Sequence, residues 1–287
     1  MKNNDLSALC STYGSEGCPC ALAILNECLV CSHLQGQDLC DCQWNKYCVY
    51  IGFLHDQKGF QHTGRDYLVP VRHLNMGAAG YMVFLTAPPS VLSSAGILAY
   101  GLLRNRREPE INLPAVVLAT YPDHSMISLA VKPLTEVERH ILLETTSFDL
   151  CYTEKPAVPG LTDLQGMNRK NVLVVAEDFG QLLVNALIRK CVLPDNRATV
   201  LLSENLPVIT RKLAEIGVKY LITGHNGTVL QKTLAENRFD TCFSLGTARL
   251  HQQLTGVLAG PGGGIPHFTS TIEDILALDL DSENNLS

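Results

Sequence analysis

Residues 171–190 read NVLVVAEDFGQLLVNALIRK, and their pattern gives the clearest indication of the fold. Val172 to Ala176 is a short, continuous apolar run, which is typical of a strand covered on both faces of a parallel sheet. From Gly180 to Lys190 the apolar residues recur at helical spacing. A buried strand followed at once by an amphipathic helix predicts a βα unit.

The same alternation of strand and helix continues to about residue 270. Four βα units within about 90 residues predict a Rossmann-like, doubly wound parallel sheet, which we place at residues 166–278. The further strands are predicted at Thr199–Ser203, Tyr220–Thr223, Thr241–Ser244 and Ile265–Thr269, and the further helices at Leu206–Ile216, Val229–Asn237 and Thr247–Leu258.

Upstream of this domain, residues 50–165 have a different texture. Short β-like runs separated by turn-rich connectors predict an antiparallel barrel or sandwich. One helix interrupts them at Thr135–Glu144, with Thr135 as N-cap and Glu138 three residues later. The predicted strands are Cys48–Leu54, Tyr67–Val71, Tyr81–Thr86, Ala115–Thr120, Ser125–Val131 and Phe148–Thr153.

The stretch between Arg72 and Arg104 contains no Asp, Glu, Lys or Arg, and an uncharged stretch of this length could contain a transmembrane helix. Glycines and prolines divide it into pieces too short to cross a bilayer. We therefore expect no membrane insertion, but a buried strand at Tyr81–Leu85 followed by a buried helix at Ile97–Leu103.

Composition excludes further classes of protein. The 287 residues include 22 basic and 28 acidic ones, and the resulting net charge of −6 argues against a nucleic-acid-binding protein. Residues 1–12 lack the apolar run of a signal peptide, so we expect a cytoplasmic protein with reduced thiols. The polar, acidic residues 279–287 predict a disordered tail.

The cysteines are concentrated at the amino terminus, where residues 1–49 form a predicted metal-binding module. Reduced thiolates at short spacing suit tetrahedral zinc or an iron–sulfur cluster, and a disulfide framework is the alternative. The spacing leaves open how the thiols divide between sites, and His33 is either a further ligand or a surface histidine. The candidate ligands are Cys10, Cys18, Cys20, Cys28, Cys31, Cys40, Cys42 and Cys48.

The first βα turn is where a doubly wound sheet holds a pyrophosphate, against the N–H groups of the following helix. Here the turn retains only Gly180 of a glycine-rich fingerprint. Asp178 is placed to cap the helix, so that its carboxylate takes the position of a phosphate. In the next such turn, Ser203 or Asn205 either contacts a ribose or caps the helix, and capping is favoured.

Four N-terminal segments, residues 10–20, 27–36, 40–44 and 47–50, carry a family resemblance. They read CSTYGSEGCPC, ECLVCSHLQG, CDCQW and YCVY, and they resemble the sulfide/dihydroorotate dehydrogenase-like FAD/NAD-binding proteins of the ferredoxin-reductase superfamily. These are relatives of the electron-transfer subunit of dihydroorotate dehydrogenase. Over the rest of the chain the likeness is one of architecture.

The resemblance implies FAD on the barrel, bound through an Arg-Pro-x-Ser-like strand, and NAD(P) on the second domain. The corresponding strand begins Leu113-Pro114-Ala115-Val116, in which the proline matches, no arginine precedes it, and Ala115 or Val116 stands in place of the hydroxyl residue. In the degenerate glycine-rich turn, Gly180 and Gln181 are kept. Together with Ser203, these are the candidate cofactor-binding residues.

The pattern as a whole predicts a redox protein. It would move electrons between a nicotinamide nucleotide, a flavin and an N-terminal iron–sulfur centre or a partner protein. The alternative is a non-catalytic descendant, in which a structural zinc or iron–sulfur module and degenerate nucleotide sites serve protein interaction. The sequence leaves the oligomeric state undetermined.

Overall fold

The computed structural model describes residues 28–35, 37, 67–106, 111–161, 168–192, 195–224, 227–258 and 265–271. Most of the predicted cysteine module, the predicted strand Cys48–Leu54 and the predicted acidic tail lie outside the described residues.

The first domain is an antiparallel sheet in which six strands follow the order β1-β2-β5-β4-β3-β6. Leu68, just before β1, and Phe148, at the start of β6, exchange two backbone hydrogen bonds of 2.8 and 2.9 Å. This bridge joins the two outer strands, so the sheet closes into a barrel. The elements are β1 Val69–Asn75, β2 Tyr81–Thr86, α1 Pro89–Ser94, β3 Ala99–Asn105, β4 Asn112–Tyr121, β5 Met126–Val131, α2 Glu136–Glu144 and β6 Phe148–Pro156.

The segment Ile97–Leu103, predicted as a buried helix, lies mainly in strand β3, so that prediction was wrong. β3 pairs with β4 on one side and β6 on the other. Gly101 allows close pairing, because a Cβ there would lie 2.8 Å from the Cys151 carbonyl oxygen. A continuous apolar run fits a strand buried on both faces as well as it fits a buried helix, and the neighbouring strands decide between them.

The helix predicted from Thr135 is confirmed as α2. The Thr135 hydroxyl accepts a hydrogen bond of 3.1 Å from the Glu138 backbone N–H. The Glu138 carboxylate in turn accepts one of 2.6 Å from the Leu134 backbone N–H. Ile141 and Leu142 are buried, as their spacing predicts, whereas Val137, predicted to lie on the same face, is 61% exposed.

The second domain is the predicted parallel sheet, with its strands in the order β11-β10-β7-β8-β9. Every neighbouring pair in it is parallel. Gly217 ends α4 with a φ of +74°, a left-handed conformation that favours glycine. The elements are β7 Asn171–Ala176, α3 Gly180–Val192, β8 Arg197–Leu202, α4 Pro207–Glu215, β9 Lys219–Ile222, α5 Gly227–Glu236, β10 Thr241–Leu245, α6 Ala248–Leu258 and β11 His267–Ser270.

Alternation along the strands builds separate apolar clusters. In β4, Leu113, Ala115 and Val117 pack with Leu142 of α2 in a cluster internal to the barrel domain. Val116 and Leu118, on the other face of β4, belong instead to a cluster that includes residues of the parallel sheet and α3. The two domains therefore pack against each other through a continuous apolar interface.

None of the helices in the described parts of the chain is long and apolar enough to span a membrane.

Candidate functional site

A cleft of about 380 Å³ opens at the carboxyl ends of the parallel strands. This edge is where open α/β sheets bind their ligands, because loops and helix N-termini converge there. Apolar side chains from the sheet and from α5 and α6 line part of the cleft, and polar groups line the rest. The polar residues are Glu177, Asp178, Ser203, Glu204, Thr223, Thr247, Arg249 and Gln253.

Glu177, directly after β7, places its carboxylate at the N-terminus of α6. Its Oε1 accepts a hydrogen bond of 3.3 Å from the Thr247 backbone N–H and a second one from the Thr247 hydroxyl. Gly246 leaves the space for this side chain, because a Cβ at Gly246 would lie 2.5 Å from the Cγ of Glu177. A carboxylate therefore already occupies a helix end that would otherwise attract an anion.

Asp178 was predicted to cap α3, and the structure corrects this. Its Oδ2 lies 2.6 Å from the Nζ of Lys132, which follows β5 in the barrel domain. Asp178 has a φ of +51° and stands two residues before the first residue of α3, so Phe179 holds the position next to the helix. The carboxylate joins the two domains instead of capping the helix.

Gly180 and Gln181, both predicted to bind a cofactor, have structural contacts. A Cβ on Gly180 would lie 2.2 Å from the Leu245 carbonyl oxygen, so the glycine lets α3 approach the end of β10. Gln181 is 1% exposed, and its Oε1 accepts a hydrogen bond of 3.1 Å from the Glu204 backbone N–H. Gln181 thereby holds the turn that follows β8.

Ser203 lines the cleft, and the expectation that it caps α4 is wrong. Leu206 is the N-cap residue of α4, with no side-chain hydrogen bond to the helix. Asn205 accepts instead from the hydroxyl of Thr210, at 3.0 Å. Ser203 is 8% exposed, and its hydroxyl has no hydrogen-bond partner in the described part of the chain. The hydroxyl is thus available to a ligand.

The strand predicted to contact a flavin is β4. Ala115 and Val116 are 1% and 0% exposed and lie in the apolar clusters on the two faces of the strand. Pro114 is also buried and pairs with Leu102 of β3. None of these side chains carries a hydrogen-bond donor.

The cysteine segment is described only around Cys28 and Cys31, and both residues are buried. The loop folds back so that the Cys28 backbone N–H donates to the Leu34 carbonyl at 3.2 Å. The Cys28 carbonyl accepts from the side-chain amide of Gln35 at 2.8 Å and from the guanidinium of Arg211 on α4. His33 Nδ1 lies 3.0 Å from the Gln37 carbonyl oxygen. The loop is thus attached to the parallel-sheet domain.

The other predicted metal ligands lie outside the described residues. These are Cys10, Cys18, Cys20, Cys40, Cys42 and Cys48. Among the described residues, no group of three or more potential metal-ligating side chains is found. Cys28 and Cys31 would therefore need ligands from the remaining N-terminal residues to complete a metal site.

A histidine cluster that no sequence motif predicts lies between α6, β10 and β11. The hydroxyl of Ser244 is 2.6 Å from Nδ1 of His251 and 2.7 Å from Nε2 of His267. Burial, and then the nearby His251, lowers the pKa of His267 below its ordinary value. No short motif marks these residues, because each comes from a different element.

Solved structures with the same two-domain arrangement include several reductases. The chain is 18% identical to an NADH-dependent reduced ferredoxin-NADP oxidoreductase, with a TM-score of 0.57 over 72% of this chain and 76% of that one. It is 12% identical to the ferredoxin reductase of carbazole 1,9a-dioxygenase, with a TM-score of 0.53 over 71% and 66% of the two chains. It is 9% identical to the ferredoxin-NADP⁺ reductase of Plasmodium falciparum, with a TM-score of 0.51 over 74% of this chain and 98% of that one.

No protein-family profile matches the sequence, and no curated protein is significantly similar to it. At the identities found, the solved structures establish the fold alone. The expected ferredoxin-reductase architecture of a barrel followed by a parallel sheet is thereby confirmed.

The side chains at the two expected cofactor positions do not fit the groups that this fold family implies. At β4, Pro114, Ala115 and Val116 offer neither a guanidinium for a pyrophosphate nor a hydroxyl for a flavin ring. At the first βα turn, Gly180 is the single glycine of the fingerprint, and the turn adds the carboxylates of Glu177 and Asp178, which repel a phosphate.

Proposed function

We propose that this chain is an electron-transfer protein of the ferredoxin-reductase type, related to the sulfide/dihydroorotate dehydrogenase-like proteins. Its redox group is an iron–sulfur centre held by the N-terminal cysteines, which exchanges electrons with a partner protein. The proposed ligands are drawn from the eight cysteines of residues 1–49.

The attachment of the Cys28–Cys31 loop carries this proposal. Two cysteines separated by two residues can bind one metal ion from adjacent positions of a turn, a spacing that recurs in zinc and iron–sulfur sites. Here the turn is closed by its own backbone and fixed by Arg211 on α4. Such support around a metal loop restricts the ligand geometry and sets the environment of the metal.

Anaerobic purification of the whole chain, followed by metal, sulfide and flavin analysis and a visible spectrum, tests the proposal. We expect iron and acid-labile sulfide in a fixed ratio to protein, with a charge-transfer absorption that bleaches on reduction. A protein that contains stoichiometric zinc and no iron, or neither metal, would contradict it.

A pair of variants connects the metal to the described loop. Cys28→Ser combined with Cys31→Ser should lose bound iron and sulfide. Cys151→Ser should keep both, because Cys151 is an exposed residue of β6 in the other domain. Equal metal content in the two variants would remove Cys28 and Cys31 from the ligand set.

One observation favours a second candidate, the non-catalytic descendant. Strand β4 is apolar where the family binds FAD, and the first βα turn carries two carboxylates where the family binds NAD(P). Neither element offers the side chains that the family uses for these cofactors. In this case the fold presents a structural zinc or iron–sulfur module to a binding partner. A colourless protein with zinc, no flavin and no reducible group is the result that selects this candidate.

A further inference from the structure

We propose that the cleft at the carboxyl ends of the parallel strands binds an uncharged nucleoside and rejects phosphorylated nucleotides. This inference does not depend on the metal centre, because it concerns only the residues of β7, β8, α5 and α6 and the turns between them. It rests on two observations: a carboxylate held at the N-terminus of α6 on the wall of the cleft, and a buried hydroxyl without a hydrogen-bond partner in the described part of the chain.

Glu177 provides the discrimination against phosphate. Two hydrogen bonds from Thr247 hold the Glu177 carboxylate at the N-terminus of α6, on the wall of the cleft. The absence of a side chain at Gly246 leaves the space that the Glu177 side chain occupies. A phosphate entering here would meet a like charge and would find this helix end already satisfied.

Asp178 adds to this effect in a different way. Its Oδ2 is bound by Lys132, while its Oδ1 is buried without a hydrogen-bond partner in the described part of the chain. Lys132 is therefore engaged by a carboxylate and does not offer its charge to a phosphate. Arg249 is the cation in the described lining of the cleft, and the carboxylates of Glu177, Asp178 and Glu204 outnumber it, so the lining carries a net negative charge.

Ser203 and Glu204 supply the positive recognition. Ser203 is more than nine-tenths buried, lines the cleft and leaves its hydroxyl unbonded. The exposed Glu204 follows it at the end of β8, with its backbone fixed by Gln181. A carboxylate at the end of the second strand is suited to accept hydrogen bonds from a ribose diol. The serine hydroxyl can donate to the same sugar or accept from it.

The rest of the cleft suits a flat ring. Leu201, Leu230 and Leu250 contribute buried apolar side chains to the lining. The volume of about 380 Å³ is at the lower end of the range for small-molecule sites, about 300–1,000 Å³, as expected for one nucleoside and not for a dinucleotide.

Calorimetric titration of the whole chain with adenosine, guanosine, uridine and cytidine, and with their 5′-monophosphates, tests the proposal directly. We expect at least one nucleoside to bind. Its monophosphate should bind more weakly, by a factor of about ten at least. The matching 2′-deoxynucleoside should also bind about tenfold more weakly, because the diol contact is lost. Absence of nucleoside binding, or a monophosphate or NADH that binds as tightly, overturns the proposal without any variant.

Variants assign the roles. Ser203→Ala and Glu204→Gln should each weaken nucleoside binding about tenfold. Glu177→Gln should leave nucleoside binding in place and reduce the penalty for the monophosphate. Glu144→Gln, an exposed position at the end of α2, is the matched control and should change neither value. If Glu177→Gln leaves the penalty unchanged in a protein that melts normally, Glu177 is not the discriminating residue and the proposal fails.

Discussion

Gly180 is a residue whose role changes between sequence and structure. From the sequence it is the remnant of a phosphate-binding turn, but in the fold it lies against the Leu245 carbonyl with no space for a Cβ. Its presence is explained by the packing of α3 on β10. A glycine in such a turn is therefore no evidence for a phosphate site by itself.

Replacing Gly180 should show this as a loss of stability. Gly180→Ala forces a Cβ to 2.2 Å from a backbone oxygen, and overpacking of this kind costs about 1–3 kcal/mol of unfolding free energy. Gly256→Ala is the control, because Gly256 lies in α6 with nothing within 4 Å, so it should stabilise the protein by about 0.5–1 kcal/mol. Chemical denaturation measures both; a Gly180→Ala protein as stable as the parent would refute the packing explanation.

The cysteines outside the N-terminal module differ in accessibility. Burial raises the pKa of Cys191 and of Cys242 to about 12, whereas Cys151 is exposed. Thiolates are the reactive species, so iodoacetamide at pH 8 should modify Cys151 in the native protein and leave the two buried thiols unmodified until unfolding. Peptide mass spectrometry reads the three sites separately. Rapid native labelling of Cys191 or Cys242 is the contrary result.

Among the elements, β11 pairs with β10 through the backbone, and the Ser244 side chain adds contacts to β11 and α6. The single hydroxyl of Ser244 lies between nitrogens of His251 and His267, so it donates to one ring and accepts from the other. Ser270 at the end of the same strand donates a hydrogen bond of 2.6 Å to the Ala157 carbonyl, in the connection that leaves the barrel. The docking of β11 therefore contributes to the contact between the two domains.

Acid should weaken this docking. The pKa of His267 in the folded protein is lowered from 6.5, so the unfolded chain binds the proton more readily. The stabilisation is complete above about pH 6.5 and decreases as the pH falls below that value, towards the lowered pKa of the folded state. Urea denaturation between pH 7.5 and 5 should show this decrease, with a shallower slope for His267→Gln. Parallel slopes for the two proteins would exclude His267 as a contributor.

His73 in β1 contributes with the same sign, because burial and the adjacent Arg72 lower its pKa as well. His267→Gln should therefore leave part of the acid dependence in place. The combination with His73→Gln should remove more of it than either change alone, since the two residues lie in different domains and their effects should add.

Across the whole molecule, the two domains meet through an apolar interface and through the ion pair between Lys132 and Asp178. Lys132 and Asp178 are 20% and 33% exposed, so their attraction is less screened than that of a surface pair. Lys132 and Asp178 are 46 positions apart in the chain. Sequence reasoning assigned Asp178 to a local cap because it could not place Lys132 beside it.

A double-mutant cycle with Lys132→Met and Asp178→Asn should measure this coupling. We expect about 1 kcal/mol of unfolding free energy at low salt, decreasing as salt is added. The exposed pair Lys232–Glu236, an i,i+4 pair with side chains 74% and 60% exposed, serves as the comparison and should couple more weakly. Equal coupling in the two cycles would show that the domain interface does not strengthen the Lys132–Asp178 pair.

The parallel-sheet domain could be predicted from the sequence, because apolar runs and helical periodicity are local properties of the chain. Val172–Ala176, the α3 periodicity and the Gly217 helix stop all lie within a few residues of their predicted positions. Features that depend on residues remote in the chain became visible in the folded protein. There Ile97–Leu103 lies mainly in a strand, Asp178 pairs with Lys132 and the Ser203 hydroxyl is left unbonded in the cleft. Strand pairing, ion pairs and burial are set by neighbours in space, and periodicity carries no information about those neighbours.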